Sequence, residues 1–255
     1  MLKMLLKCPD NYVSHLYLKN KIPKSSKIKS YGLKFGHVET DLYQNGFNIE
    51  LTTNRYFVWE FWNCLKTHPA KLISTIKFYN KNISVNDVGY YRSNWYELFE
   101  TPYARASFFY LLNRYSLDGD YMCPAMSKHN FSLLNLRSLE HHAYEAKNLQ
   151  LSLSKNENIF NSIETTDDDI ILILAGKVRK KYLLNKSPKS ICNMDFDVDE
   201  FKRYLEFTNK KIICVFKYQQ HVADLFANKT YINKFGVDTQ HENYAEDLIV
   251  SNMDL

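Results

Sequence analysis

Glycine and proline are scarce in this chain, at 7 and 6 of 255 residues, and no two prolines are adjacent, nor is any pair of glycines separated by a single residue. That usage excludes collagen-like repeats and Gly/Pro-rich linkers, and no internal repeat or low-complexity tract is present. Nowhere do about 18 apolar residues run together, so no membrane-spanning helix is expected. The opening Met1-Leu2-Lys3-Met4-Leu5-Leu6-Lys7 carries too short an apolar run for a signal peptide. Five cysteines, Cys8, Cys64, Cys123, Cys192 and Cys214, form no C-x-x-C, which sets aside zinc ribbons and a disulfide framework. A soluble protein of a reducing, intracellular compartment is expected. The net charge of +5 permits polyanion binding without demanding it.

What is abundant is aromatic and aliphatic: 19 Tyr and 16 Phe within 45% hydrophobic residues, enough for a packed core. With many Lys, Asn and Ile, the usage resembles AT-rich coding sequence of the kind common in phages and large DNA viruses. The expected origin is therefore a phage or virus, with the host cytoplasm or the virion as location.

The C-terminal third has the plainest pattern. Ile170-Ile171-Leu172-Ile173-Leu174 and Ile212-Ile213-Cys214-Val215-Phe216 are short continuous apolar runs, suited to strands buried on both faces. Between and after them, Val198 to Thr208 and Gln219 to Ala227 have helical spacing, and Leu248-Ile249-Val250 closes as a third strand. Alternation of strand and helix predicts a parallel α/β sheet with right-handed crossovers. Upstream, Ile28 to Phe35 and Phe47 to Leu51 are expected strands, and Tyr56 to Leu65 and Ala70 to Phe78 amphipathic helices. Pro102 to Tyr115 is a further helix with Pro in its first turn, and Ser116 to Asn130 is turn-rich. These patterns divide the chain into an N-terminal part of the sheet (1–80), a helical insert (81–150) and a C-terminal part of the sheet (151–255).

Four stretches, in order, carry a resemblance. They are Gly46-Phe47-Asn48-Ile49-Glu50-Leu51-Thr52-Thr53-Asn54 with Phe61-Trp62-Asn63-Cys64-Leu65-Lys66-Thr67-His68-Pro69; Arg105-Ala106-Ser107-Phe108-Phe109-Tyr110-Leu111-Leu112-Asn113-Arg114-Tyr115-Ser116-Leu117-Asp118-Gly119; Asp169-Ile170-Ile171-Leu172-Ile173; and Ala245-Glu246-Asp247-Leu248-Ile249-Val250-Ser251-Asn252. Together they resemble the DNA adenine-N6 methyltransferases of the Dam type, the second stretch matching the recognition-insert signature R-A-x-x-F-x-Y-L-N-R-x-x-F-N-G. The resemblance covers roughly residues 25 to 255. It implies a Rossmann-like methyltransferase sheet with helices on both faces and an inserted helical subdomain.

The same resemblance implies a lost reaction. The family's D-P-P-Y, whose Asp binds the adenine amino group and whose Tyr stacks on the flipped base, is replaced by Leu174, Ala175, Gly176 and Lys177. Lys177 close to the sulfonium of S-adenosylmethionine faces a like charge, a repulsion of about 4 kcal/mol at ~4 Å and an effective dielectric of about 20. The family's F-x-G-x-G cofactor loop is also gone: Gly32 and Gly36 stand four apart in that region, and Thr53 takes the place of the ribose-binding acid. The chain is thus expected to be a pseudoenzyme with S-adenosylmethionine binding lost and no cofactor.

Basic residues cluster after the old catalytic strand, at Lys177, Arg179, Lys180 and Lys181, with a second run, Lys19 to Lys34, around the old cofactor loop. Both clusters are expected near the carboxyl ends of the strands, either holding nucleic-acid phosphates or lying as solvated loops. Arg105, Asn113 and Arg114 in the recognition-like helix are candidates for DNA contact, with Arg105 and Asn113 alternatively bracing the insert against the sheet. His141-His142 has no third metal ligand and is expected on the surface. Asp195, Asp197 and Asp199 lack the glycine of a calcium loop, so an acid-rich helix start is expected. The leading expectation is a nucleic-acid-binding or scaffolding protein. The alternative is an interaction subunit without nucleic acid, as a homodimer or beside an active methyltransferase sister subunit.

Overall fold

The structure is a computed structural model that describes residues 5–7, 11–32, 36–84, 87–117, 119, 125–154, 159–164, 167–178 and 197–255. The elements in chain order are α1 (Ser14–Lys21), β1 (Lys27–Tyr31), α2 (His37–Gln44), β2 (Asn48–Thr53), α3 (Tyr56–Thr67), α4 (Pro69–Asn82), α5 (Val88–Leu98), α6 (Pro102–Tyr115), α7 (Leu133–Ala146), β3 (Gln150–Leu153) and α8 (Ile159–Glu164). They continue with β4 (Ile170–Gly176), α9 (Val198–Phe207), β5 (Ile212–Lys217), α10 (Gln220–Ala223), β6 (Lys229–Asn233), β7 (Asp238–Thr239) and β8 (Ala245–Ser251).

The strands form one sheet in the order β3-β2-β1-β4-β5-β8-β6-β7. The first five are mutually parallel, whereas β8 runs antiparallel to both β5 and β6. This is a Rossmann-like α/β fold, with helices on both faces as expected. The apolar runs of β4 and β5 are buried throughout because both faces of these central strands are covered. Side chains alternate across the pleat. Ile170, Leu172, Leu174, Ile213 and Val215 join a core with residues of α1 to α4, α6 and α7, while Ile171, Ile173, Ala175, Ile212, Cys214 and Phe216 meet α8 to α10.

One expectation needs correcting. The closing strand was expected to be parallel, reached through a helix from Gln219 to Ala227. The helix α10 ends at Ala223, and the crossover from β5 leads to β6, whose Lys-Thr-Tyr-Ile-Asn buries only Ile232 and carries little apolar signal. A short hairpin to β7 then leaves β8 to enter between β5 and β6 from the carboxyl edge, so it runs antiparallel.

Local signals set the helix starts. Pro102 opens α6 behind Thr101, whose Oγ1 accepts from the Ala104 amide at 3.2 Å. Asp197 caps α9, accepting from the amides of Asp199 and Glu200 at 3.0 and 3.1 Å. The expected acid-rich helix start is therefore present at Asp197 and Asp199, and Asp195 lies outside the described residues.

Candidate functional site at the carboxyl edge of the sheet

The chain goes from β1 outward through β2 to β3, then returns to the other side of β1 for β4 and β5. That reversal between β1 and β4 is the switch point at which open α/β sheets bind ligands. The degenerate positions lie there, and the protein's own side chains occupy much of their surroundings.

At the end of β1, Gly32 and Gly36 both have positive φ, +87° and +72°. Gly36 precedes α2 with Trp62 of α3 against it, so that a Cβ at this position would stand 2.4 Å from Trp62 Cζ2. Its glycine character thus serves contact with an indole. The next residue, His37, meets His15 of α1 edge-to-face, with ring centroids 4.7 Å apart. Burial, reinforced by the charge of His15, lowers the pKa of His37 to about 4, and burial lowers that of His15 as well. Two neutral imidazoles therefore pack α1 on α2 at neutral pH. At the end of β2, Thr53 is buried and its Oγ1 accepts from the Arg55 amide at 3.1 Å, turning the chain into α3.

Leu174, Ala175 and Gly176 belong to the body of β4. Leu174 pairs with Val215 and Gly176 with Phe216, with a register shift between them, and Leu174 is only 4% exposed. The strand ends at Gly176, at φ +73°. Lys177 is exposed, and beyond it the Val178 amide donates to Gln219 Oε1 at 2.7 Å while Gln219 Nε2 donates to the Val178 carbonyl at 3.1 Å. Arg179, Lys180 and Lys181 lie outside the described residues, as does Lys34.

A carboxylate that the sequence patterns did not single out organises this edge. Asp247, fully buried near the start of β8, accepts from the amides of Val13 and Ser14 at 2.7 and 2.8 Å and from Lys217 Nζ at 2.7 Å. It fixes the start of α1 and neutralises the buried lysine at the end of β5. No motif signals it, because its partners are backbone amides more than 200 residues away.

The recognition-like helix α6 faces inward. Arg105 donates from Nε to Glu60 Oε2 at 2.9 Å and from Nη2 to Glu60 Oε1 at 2.5 Å, and its Nη1 donates to the carbonyls of Phe99 and Glu100. Asn113, 0% exposed, accepts from the Lys7 amide and donates to the carbonyls of Lys7 and Gly119. Arg114, 2% exposed, donates to the Leu5 carbonyl and lies over the Tyr110 ring. Arg105 and Asn113 thus brace α6, though against α3 and the segment at residues 5–7 rather than against the sheet, and Arg114, expected to contact DNA, is buried with them, its guanidinium directed into the protein. Gly119 completes the brace: at φ +93°, its Cβ would stand 2.3 Å from the Lys7 carbonyl oxygen.

The histidine pair also departs from expectation. His142 is buried and only His141 lies on the surface, and among the described residues no three His, Cys, Asp or Glu side chains cluster to hold a metal ion. The buried thiols are held protonated: burial, with Glu60 nearby, pushes Cys64 up to about 12, and burial raises Cys214 strongly. Among the described residues no helix is long and apolar enough to cross a membrane. Neither a protein-family model nor a curated protein matches the chain.

Proposed function

We propose that this protein is a non-catalytic descendant of the Dam-type adenine methyltransferases that holds nucleic acid through phosphate contacts at the carboxyl edge of its sheet, beginning at Lys177. The observation that carries the loss of chemistry is the position of Leu174, buried and paired with Val215 in the β4–β5 ladder, with Ala175 at the register shift and Gly176 the last residue of the strand. A group that binds an extruded adenine must stand clear of the strand and offer an acceptor; a buried leucine offers none. The reversal of strand order between β1 and β4, and the helices lying between β2 and β3, are compatible with the ancestry that the motifs suggest.

Lys177 is exposed at the strand end, and Arg179, Lys180 and Lys181 follow it in sequence, a run of positive charge that supports the reading. Phosphate contacts of this kind bind all sequences about equally and weaken steeply with salt. Gel shifts across a salt series test the reading. Replacing Lys177, Arg179, Lys180 and Lys181 by Ala should flatten the slope of log affinity against log salt by up to roughly 3–4 units, and weaken all sequences alike. Absence of salt-dependent binding by the wild type to DNA or RNA refutes nucleic-acid holding, and a micromolar S-adenosylmethionine site found by calorimetry refutes the loss of the cofactor.

A further inference from the structure

Between Glu60 and Asp87 the chain has no acidic residue, yet it has Lys66, Lys71, Lys77 and Lys81. Two of these are engaged: Lys66 donates to the Leu149 carbonyl at 2.6 Å, and Lys77 lies 3.8 Å from Glu140. Lys71 and Lys81 are exposed on α4, and between them Phe78 is 60% exposed. At 100° per residue, Lys71, Phe78 and Lys81 fall within an arc of about 80°, so all three share one outward face. The Phe78 ring stands edge-on to Tyr79 at 5.3 Å, and Tyr79 is itself packed against Phe99 and Phe108, which gives the exposed ring a firm base.

At the start of the same helix, Thr67, His68, Pro69, Lys71, Tyr103 and Lys147 line an open cavity of about 770 Å³. Lys71 Nζ lies 4.5 Å from the centre of the Tyr103 ring, and among the described residues no carboxylate lines the cavity. Cations flanking an exposed aromatic ring form the arrangement that grips a single nucleic-acid strand, the ring stacking on a base and the cations meeting the phosphates on either side. A duplex keeps its base faces inside the stack and offers Phe78 nothing to lie on.

We infer that the exposed face of α4, with Lys71, Phe78 and Lys81 and the neighbouring Lys147, binds single-stranded nucleic acid. This rests on the nucleic-acid reading above and deepens it by adding to the phosphate-holding edge at Lys177 a surface that takes the bases of a single strand. Fluorescence anisotropy with the full chain, a labelled single strand of about 16 nucleotides and the matching duplex is the test. Phe78→Ala should weaken single-strand binding about tenfold, with the salt slope and duplex binding unchanged. The triple variant Lys71→Gln, Lys81→Gln, Lys147→Gln should lower the single-strand salt slope by up to about 2 units. All four positions are exposed, so melting temperatures should match the wild type.

If the wild type binds single strands and both variants bind equally well, the α4 surface is wrong while the nucleic-acid reading stands. If the wild type binds no nucleic acid, both fail. If Phe78→Ala weakens duplex and single strand alike, the stacking role is overturned.

Discussion

Removing the guanidinium of Arg105 should unfold the protein sooner without touching any ligand. Glu60, on α3, is 2% exposed, and Arg105 meets both of its carboxylate oxygens, at 2.5 and 2.9 Å. Arg105→Met keeps most of the apolar stem and leaves the carboxylate buried without its cation. Breaking a buried pair in this way costs about 3–5 kcal/mol, which at about 2–4 °C per kcal/mol for a domain of this size lowers the melting temperature by roughly 10 °C. Glu60→Gln should cost less, about 1–2 kcal/mol, because the guanidinium keeps the carbonyls of Phe99 and Glu100. The double variant Arg105→Met with Glu60→Leu should recover most of the loss, since an apolar pair of similar volume replaces a buried ion pair at little cost. Urea melts of the wild type, Arg105→Met, Glu60→Leu and the double variant close the cycle. A single Arg105→Met variant that melts like the wild type but loses nucleic-acid affinity would place the guanidinium on a ligand and refute the bracing role.

Three further outcomes are expected. Leu174→Asp should destabilise by several kcal/mol, as an unpaired charge in a closed strand does, and produce no adenine methylation; wild-type stability in urea would contradict the burial. For His37, the folded pKa of about 4 lies below the ordinary 6.5, so the unfolded chain binds the proton more readily. Stability from this group is full above pH 6.5 and is lost as pH falls towards 4, by about 2–3 kcal/mol, and His37→Asn should flatten urea midpoints across that window. Gly36→Ala should cost about 2 kcal/mol or more, through the left-handed backbone and the contact with Trp62; an unchanged thermal melt would show that the loop moves aside freely.

The parts of this fold that were legible in the sequence were those whose burial is uniform or strictly periodic. The runs Ile170–Leu174 and Ile212–Phe216 announced β4 and β5, and Tyr56–Leu65 and Pro102–Tyr115 announced α3 and α6 to within about two residues. The direction of β8 was hidden because it depends on β6, where only Ile232 is buried. The strand β3 was equally silent: at the sheet edge, none of its four residues is fully buried. Within the candidate site, the sequence drew attention to Leu174 to Lys177 but did not show what fills the edge. The imidazole contact of His15 with His37 and the seat of Asp247 join positions 22 and more than 200 apart, and no local spacing encodes either. The pattern from Arg105 to Gly119 was legible in the sequence, and its Arg105, Asn113 and Gly119 are the residues that tie α6 to Glu60 and to Lys7, a role in packing.

The seat of Asp247 also sets an order of events in the making of the protein. The amides of Val13 and Ser14 leave the ribosome well before the carboxylate that receives them, which follows 234 and 233 positions later. At roughly 5–20 residues per second on the ribosome, about 10–50 s pass before the start of α1 meets its partner. Throughout that interval the apolar side of α1, with Tyr17 and Leu18, has no finished sheet edge to lie on. The start of α1 is thus secured only once β8 has emerged, and until then the nascent chain carries an unsatisfied segment for a chaperone to shield.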